Sequence, residues 1–572
     1  MQKKNGIAEI LPEVMSKRFM IYKAKCEVIG AVNKHANPVK IEPLTQAIKT
    51  GSKVDPLDKE ILSKLYSDDE PYYVQIGKTY SQTPESIANV SLNADELTTM
   101  HTCIFGMSGM GKTTTTATLL EELIFRGGKI ILFDPHADYI NLNRLSKQLK
   151  EKFCTVDSAG KLTIRNEALK EKVNAVKKRL VGYYNKINQS DWADESKNEE
   201  LENANIIYRL LGFRSVMMGK IIHKHNDVTI EGIKDIEHDL IELNTDAIPD
   251  DLFCRKILLR MQKYPEPKFY EGKSYYYTLQ LIEALSGQPI SDAQEGFYRE
   301  WIDGKNGIWN TSLSGKEVLE KLREKMQKSQ IGISSKPPIE RQITFAQTRI
   351  KSLEDKKIEP LAIDTFVDKF CKREGSLFPL SVACFDLSDL ESDEVRRTMV
   401  YAVVSFIFEK YKSKKLSIEE NASPILFAIE EARTLIPRAT GDPEMDRPAT
   451  KLARSAVRSI ATEGRKMGLG LMVISQTPSS VDNLIASQAN TQILHRMTNP
   501  DDILYVKQIS EGLSQEDLGT LKMVGEGTAV VTGVALKTRN SILVDVRMRY
   551  SEEGKQKPQP FKTRFTELKQ KK

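Results

Sequence analysis

One octapeptide constrains this chain more than any other feature. Gly106-Met107-Ser108-Gly109-Met110-Gly111-Lys112-Thr113 satisfies the pattern GxxxxGK[ST] at every fixed position. Glycines at those places let the backbone curl around a phosphate, with its N–H groups pointing inward at the start of a helix. Lys112 then reaches the β- and γ-phosphates, and the Thr113 hydroxyl is a ligand for Mg²⁺. The flanking sequence supplies the context such a loop needs. His101–Phe105 reads as a buried strand, and Lys112 to about Arg126 as a helix closed by Gly127-Gly128. Lys129–Phe133 follows as a second strand ending in Asp134-Pro135. Strand, helix and strand with short connections form the βαβ unit of a parallel sheet.

A phosphate-binding loop needs a carboxylate on a neighbouring strand. The apolar run Ile425–Ile429 leads into Glu430-Glu431. At a strand end, Glu430 can hold the metal through water and Glu431 can polarise the attacking water. Gln476 follows the apolar run Leu469–Ser475, where a polar side chain can sense the γ-phosphate or orient water. Arg465, within Glu463-Gly464-Arg465-Lys466, has the planar fork to act in trans on a neighbour's nucleotide, with Arg458 as its rival. The nucleotide candidates are therefore Gly106, Ser108, Gly109, Met110, Gly111, Lys112, Thr113 and Thr114, with Thr113 and Glu430 on Mg²⁺. Lys112, Glu431, Gln476 and Arg465 are the candidates for hydrolysing the bound nucleotide. The plain alternatives are an acidic pair opening a helix, a loop glutamine and a solvated arginine.

The rest of the chain bounds the reading. Its 572 residues suffice for three or four structural units, and 40% apolar with 28% charged residues excludes wholesale disorder. The net charge is +6, and seven basic against three acidic residues in Ser551–Lys572 account for most of it. The body is thus nearly neutral, and bulk charge gives no argument for nucleic acid. Six widely spaced cysteines without a CxxC read as buried thiols in a reducing compartment. No apolar run approaches a membrane span, so the chain reads as soluble and cytoplasmic. His223-Lys224-His225 lacks a nearby third ligand, and the Lys-rich face from Lys170 to Arg179 reads as solvated surface.

Periodicity divides the chain into five stretches. Residues 1–97 read as a β-rich module interrupted by a helix around Leu57–Tyr66, and 98–161 as the first part of the core. Residues 162–375 read as a helical insertion. Leu169, Val173, Val176, Leu180, Tyr184 and Ile187 recur at helical spacing there, and Ser314-Gly315-Lys316-Glu317 resembles a capping box opening a further helix. Loops around Ser190–Glu200 and Ser334–Pro338 mark boundaries or tips. Residues 376–550 return to strands, with Leu380–Asp386, Gly527–Val531 and Ile542–Val546 among them and a helix at Ser392–Lys412, and 551–572 form a basic flexible tail.

Taken in order, these motifs resemble HerA-type ATPases of the FtsK–HerA superfamily. The matching pieces are Phe105–Thr114, Phe133-Asp134-Pro135-His136, Ile429–Arg433, Glu463–Lys466, Ser475–Pro478, Asn490-Thr491-Gln492, Arg496–Asp501 and Gly525-Glu526-Gly527. The long separation of Lys112 from Glu430 suits a family with a helical bundle inside its core. The resemblance implies an α/β RecA-like P-loop fold, a small N-terminal β-barrel and a homohexameric ring with ATP at subunit interfaces. It also implies double-stranded DNA threaded through the ring, and a co-encoded effector such as a NurA-type nuclease. In defence systems against phage a sirtuin-like NADase can take that place, the ring then serving as scaffold or regulator. A conjugation-type pump is a further reading within the superfamily. The chain departs from relatives at Met100, where some carry arginine, and at Ala137 and Asp138, where Gly and Glu are usual.

Overall fold

The computed structural model describes residues 57–142, 274–354 and 380–554 apart from short gaps, with short strands at 31–33, 40–42, 154–156, 162–164 and 255–259 and the single positions 146, 367, 370 and 371. Eleven described strands form one sheet. In chain order they are β1 (Tyr73–Thr79), β2 (Asn89–Asn93), β3 (Thr102–Phe105), β4 (Lys129–Asp134), β5 (Arg255–Leu259), β6 (Leu380–Asp386), β7 (Ile425–Ile429), β8 (Leu469–Ser475), β9 (Thr491–Leu494), β10 (Thr528–Gly533) and β11 (Ile542–Val546). Across the sheet the order is β2-β1-β11-β10-β9-β3-β8-β7-β4-β6-β5. From β9 to β5 every pairing is parallel, whereas β10, β11, β1 and β2 add on in antiparallel fashion.

The parallel strands are covered on both faces, which explains why their sequences are continuous apolar runs. Alternate side chains enter two separate cores. Cys103, Phe105, Ile131, Phe133, Phe385, Phe427 and Val473 join one, and Ile104, Ile130, Leu132, Cys384, Leu426, Ala428 and Ile474 the other. The helix that follows the glycine-rich loop, α2 (Lys112–Phe125), comes after the short α1 (Ala94–Thr99). It seats Ala117, Leu120, Leu123 and Ile124 in the second core.

The opposite face carries the longer helices. These are α3 (Ser274–Ser286), α4 (Asp292–Asp303), α5 (Gly315–Lys328), α6 (Lys336–Glu354), α7 (Asp393–Lys412) and α8 (Pro448–Glu463). Helices α3 and α5 pack on α6, α7 packs on α8, and the Tyr298 hydroxyl donates to Gln342 Oε1 at 3.1 Å to join α4 to α6. The Ser392 side chain caps α7 by accepting from the Val395 N–H. Cys103, Cys371 and Cys384 are buried and in no disulfide.

Several details differ from the sequence reading. The segment Ser334–Pro338 is a turn that passes into α6, with Pro337 and Pro338 in the first helical turn, where no N–H is needed. Strand β5 lies inside the stretch read as a helical insertion and pairs with β6 at the sheet edge. Strands β1 and β2, from the N-terminal stretch, extend the main sheet beyond β11. The periodic run Leu169–Ile187, the loop Ser190–Glu200, His223-Lys224-His225 and the tail from 555 onward lie outside the described residues.

Candidate nucleotide site

Strand β3 delivers the glycine-rich loop to the C-terminal edge of the parallel sheet, where open α/β sheets bind ligands. Gly106, Gly109 and Gly111 take φ values of 150°, 77° and 104°, which fold the loop tightly before α2 begins at Lys112. Ser108 and Gly109 are exposed, Met110, Thr113 and Thr114 half-buried, and Lys112 buried with Nζ donating to Met107 O at 2.9 Å. Two neighbouring segments brace this loop. The Met107 N–H donates to Arg496 O at 2.9 Å, and the Gly527 N–H donates to Met110 O at 3.3 Å. A curled backbone with an exposed amide face and a lysine folded over it fits a phosphate.

Beneath the loop lies His495, a residue the motif reading passed over. It is fully buried at the end of β9. Its Nδ1 is 3.1 Å from Thr528 O and its Nε2 2.9 Å from Thr115 Oγ1. The carbonyl can only accept, so Nδ1 carries the proton and Nε2 accepts from the threonine hydroxyl. Burial, reinforced by the nearby Lys112 charge, pushes its pKa down to about 4, so the ring is neutral. Its only mark in the sequence is a histidine closing an apolar run.

The acidic pair is brought to the same edge. Strand β8 lies between β3 and β7, with Ser475 level with Phe105 and Ile429 level with Val473. Glu430 is buried and close enough to Lys112 to feel its charge. The Tyr139 hydroxyl donates to Glu430 Oε2 at 2.7 Å. Burial is the largest influence on Glu430, and Asp134 and Asp138 add to it. The Tyr139 hydrogen bond and Lys112 oppose them, and the result is a pKa raised to about 8. Asp134, at the end of β4, is likewise raised by burial to about 6 although it accepts from the backbone N–H groups of His136, Asp138 and Tyr139. Oxygen donors from Glu430 and Thr113 beside a phosphate cradle suit Mg²⁺.

Tyr139 is itself held by the end of the described chain. The Arg549 guanidinium lies 6.0 Å from its ring, and the Gly554 N–H donates to Asp138 O at 3.1 Å.

Glu431 adopts left-handed backbone angles, φ 50° and ψ 50°, as the chain leaves β7 for the short helix Ala432–Leu435. Its carboxylate is buried and accepts from Arg433 Nε. Another nitrogen of Arg433 is 3.4 Å from Thr477 Oγ1. Gln476 is half-buried at the end of β8, one residue past the level of the loop strand. Lys112, Glu430, Glu431 and Gln476 thus share the C-terminal edge of β3, β7 and β8.

Arg465 does not join them. It is exposed in the turn Gly464–Met467 that precedes β8, at the opposite end of a strand roughly 20 Å long. Its rival Arg458 is engaged within the chain, donating to both carboxylate oxygens of the buried Asp482 at 3.0 and 2.6 Å.

The chain is similar in sequence to known proteins along most of its length. The family described as "Helicase HerA, central domain" matches residues 74–246. A "Probable DNA double-strand break repair helicase HerA" of Methanocaldococcus jannaschii is 25% identical over 524 residues, spanning 91% of this chain and 84% of the relative. The "DNA double-strand break repair helicase HerA" of Pyrococcus furiosus is 24% identical over 496 residues, 86% of this chain and 72% of that protein. Among solved structures, VirB4 of Thermoanaerobacter pseudethanolicus aligns with a TM-score of 0.45 at 15% identity, covering 84% of this chain and 97% of VirB4. With its phosphate loop and acidic pair on one sheet edge and relatives of this kind matching along most of its length, the chain is similar to HerA-type P-loop ATPases.

Proposed function

We propose that the chain is an ATP-driven motor that moves double-stranded DNA as a homohexameric ring and works with a co-encoded effector such as a nuclease. The observation that carries this reading is the gathering of Lys112, Glu430, Glu431 and Gln476 on one sheet edge with β8 between the loop strand and the acidic strand. DNA as the polymer is supported by the relatives' description as double-strand break repair helicases. Among the described residues no helix is long and apolar enough to cross a membrane.

In this reading the backbone of Gly106–Thr114 binds the phosphates of ATP, and Lys112 neutralises the charge that develops on the transferring group. Thr113 and Glu430 would hold Mg²⁺, which would supply further neutralisation of the phosphates. Glu431 takes a proton from the attacking water, and Gln476 orients that water or reports the γ-phosphate. Arg465 completes the site of a neighbouring copy, which suits an exposed arginine on the far side of its own sheet.

Steady-state ATP hydrolysis with and without long double-stranded DNA, beside a Lys112→Ala control, tests the proposal. DNA stimulation that Lys112→Ala abolishes is the expected result. Turnover indifferent to DNA but altered by the product of the neighbouring gene would overturn the motor in favour of a ring that regulates its effector.

A further inference from the structure

The contact between Glu431 and Arg433 has more to it than charge pairing. Residues two apart on a helix do not face each other, and here the left-handed backbone at Glu431 turns the two side chains together. The partners are unequal in exposure. Glu431's side chain is 3% accessible and Arg433's is 42% accessible, so an anion from outside meets the guanidinium and not the carboxylate. The same guanidinium reaches Thr477, the neighbour of Gln476, and so spans both sides of the place where water must be activated. Arg397 steadies this turn from behind, with its Nε donating to Thr434 O at 2.8 Å. The Glu431 oxygen that accepts from Arg433 is occupied by that bond and is not open to a water's hydrogen. The planar fork that binds a carboxylate also binds a phosphate oxygen pair.

We propose that Arg433 is a latch on Glu431: the pair holds the carboxylate out of use until a phosphate, of bound nucleotide or of DNA, draws the guanidinium away. The inference rests on the reading of Glu431 as the residue that activates water. Arg433 acts through Glu431 and is a positioning residue, not a catalytic one.

The test compares kcat and KM for ATP in the full-length wild type, Arg433→Ala, Arg433→Gln, Arg433→Lys and Glu431→Gln, with and without long double-stranded DNA, alongside melting temperatures. Removing the latch should raise DNA-independent kcat by about 2- to 5-fold, the factor that corresponds to releasing a half-exposed ion pair. KM should stay within about twofold if DNA supplies the releasing phosphate, and should rise if the guanidinium moves onto the nucleotide, because that contact is then lost. Arg433→Lys, which keeps the charge but not the fork, should give an intermediate rise. A DNA stimulation that shrinks toward unity in Arg433→Ala identifies DNA as the source of the releasing phosphate, whereas an unchanged stimulation ratio on a raised baseline identifies the nucleotide. An inactive Glu431→Gln with Arg433→Ala and Arg433→Gln at or below wild-type turnover overturns the latch alone. An active Glu431→Gln overturns the underlying reading of Glu431, and the latch with it.

Discussion

The Tyr139 hydroxyl donates to Glu430 Oε2 across 2.7 Å, joining residues 291 positions apart in the chain at the buried end of β7. This bond opposes the burial that raises Glu430. Tyr139→Phe removes this donor while keeping the ring. Stability should fall by about 1–2 kcal/mol, the usual cost of leaving a buried acceptor without its partner. The Mg²⁺ concentration for half-maximal nucleotide hydrolysis should rise, and fluorescent-nucleotide binding in the absence of Mg²⁺ should not change. An unaltered Mg²⁺ titration would separate Tyr139 from the metal site.

His495 gives the apo protein a defined pH signature. Its pKa is near 6.5 when unfolded and about 4 when folded, so between those values the unfolded chain binds more protons. Its contribution is therefore complete above pH 6.5 and is lost as the pH falls through 4. Melting curves of wild type and His495→Gln should converge in that direction, the difference between them shrinking from pH 7 to pH 4. Parallel curves would show that His495 does not titrate in this window.

Two glycines of the loop should respond differently to alanine. A Cβ at Gly106 would sit 2.5 Å from His495 Cβ at a φ of 150°, whereas one at Gly109 would meet nothing within 4 Å. Gly109→Ala should cost about 1–2 kcal/mol for its left-handed backbone alone. Gly106→Ala should cost more and displace the loop, seen as lost nucleotide binding by calorimetry. Equal losses would mean that His495 yields without resistance.

Arg458 and Arg465 should separate stability from turnover. Arg458→Ala leaves the buried Asp482 carboxylate without its guanidinium and should lower the melting temperature. Arg465→Ala should leave the melting temperature within error and abolish most ATP hydrolysis. Mixing Arg465→Ala with Lys112→Ala subunits should restore part of the activity, because one interface then regains both groups. No recovery on mixing would remove Arg465 from the neighbour's site.

The sequence by itself determined the local machinery. GxxxxGK[ST] followed by a helical run specifies a phosphate loop because few other backbones need glycine at those spacings. Apolar runs without alternation announced strands covered on both faces, and β4, β6, β7 and β8 lie where those runs do. Asn490-Thr491-Gln492 carried a motif, but the strand Thr491–Leu494 left no signal, since four residues offer too little pattern to tell a strand from a loop. Only the tertiary structure decided which ends of these runs meet. The order β3-β8-β7 puts Gln476 between the phosphate loop and the acidic pair, and it follows from long-range pairing that local periodicity does not encode. His495 under the loop, Tyr139 on Glu430 and Arg433 on Glu431 depend on the same pairing or on one left-handed residue. Their side chains are ordinary in sequence, and what sets them apart is burial beside a charge, a property of the folded chain alone.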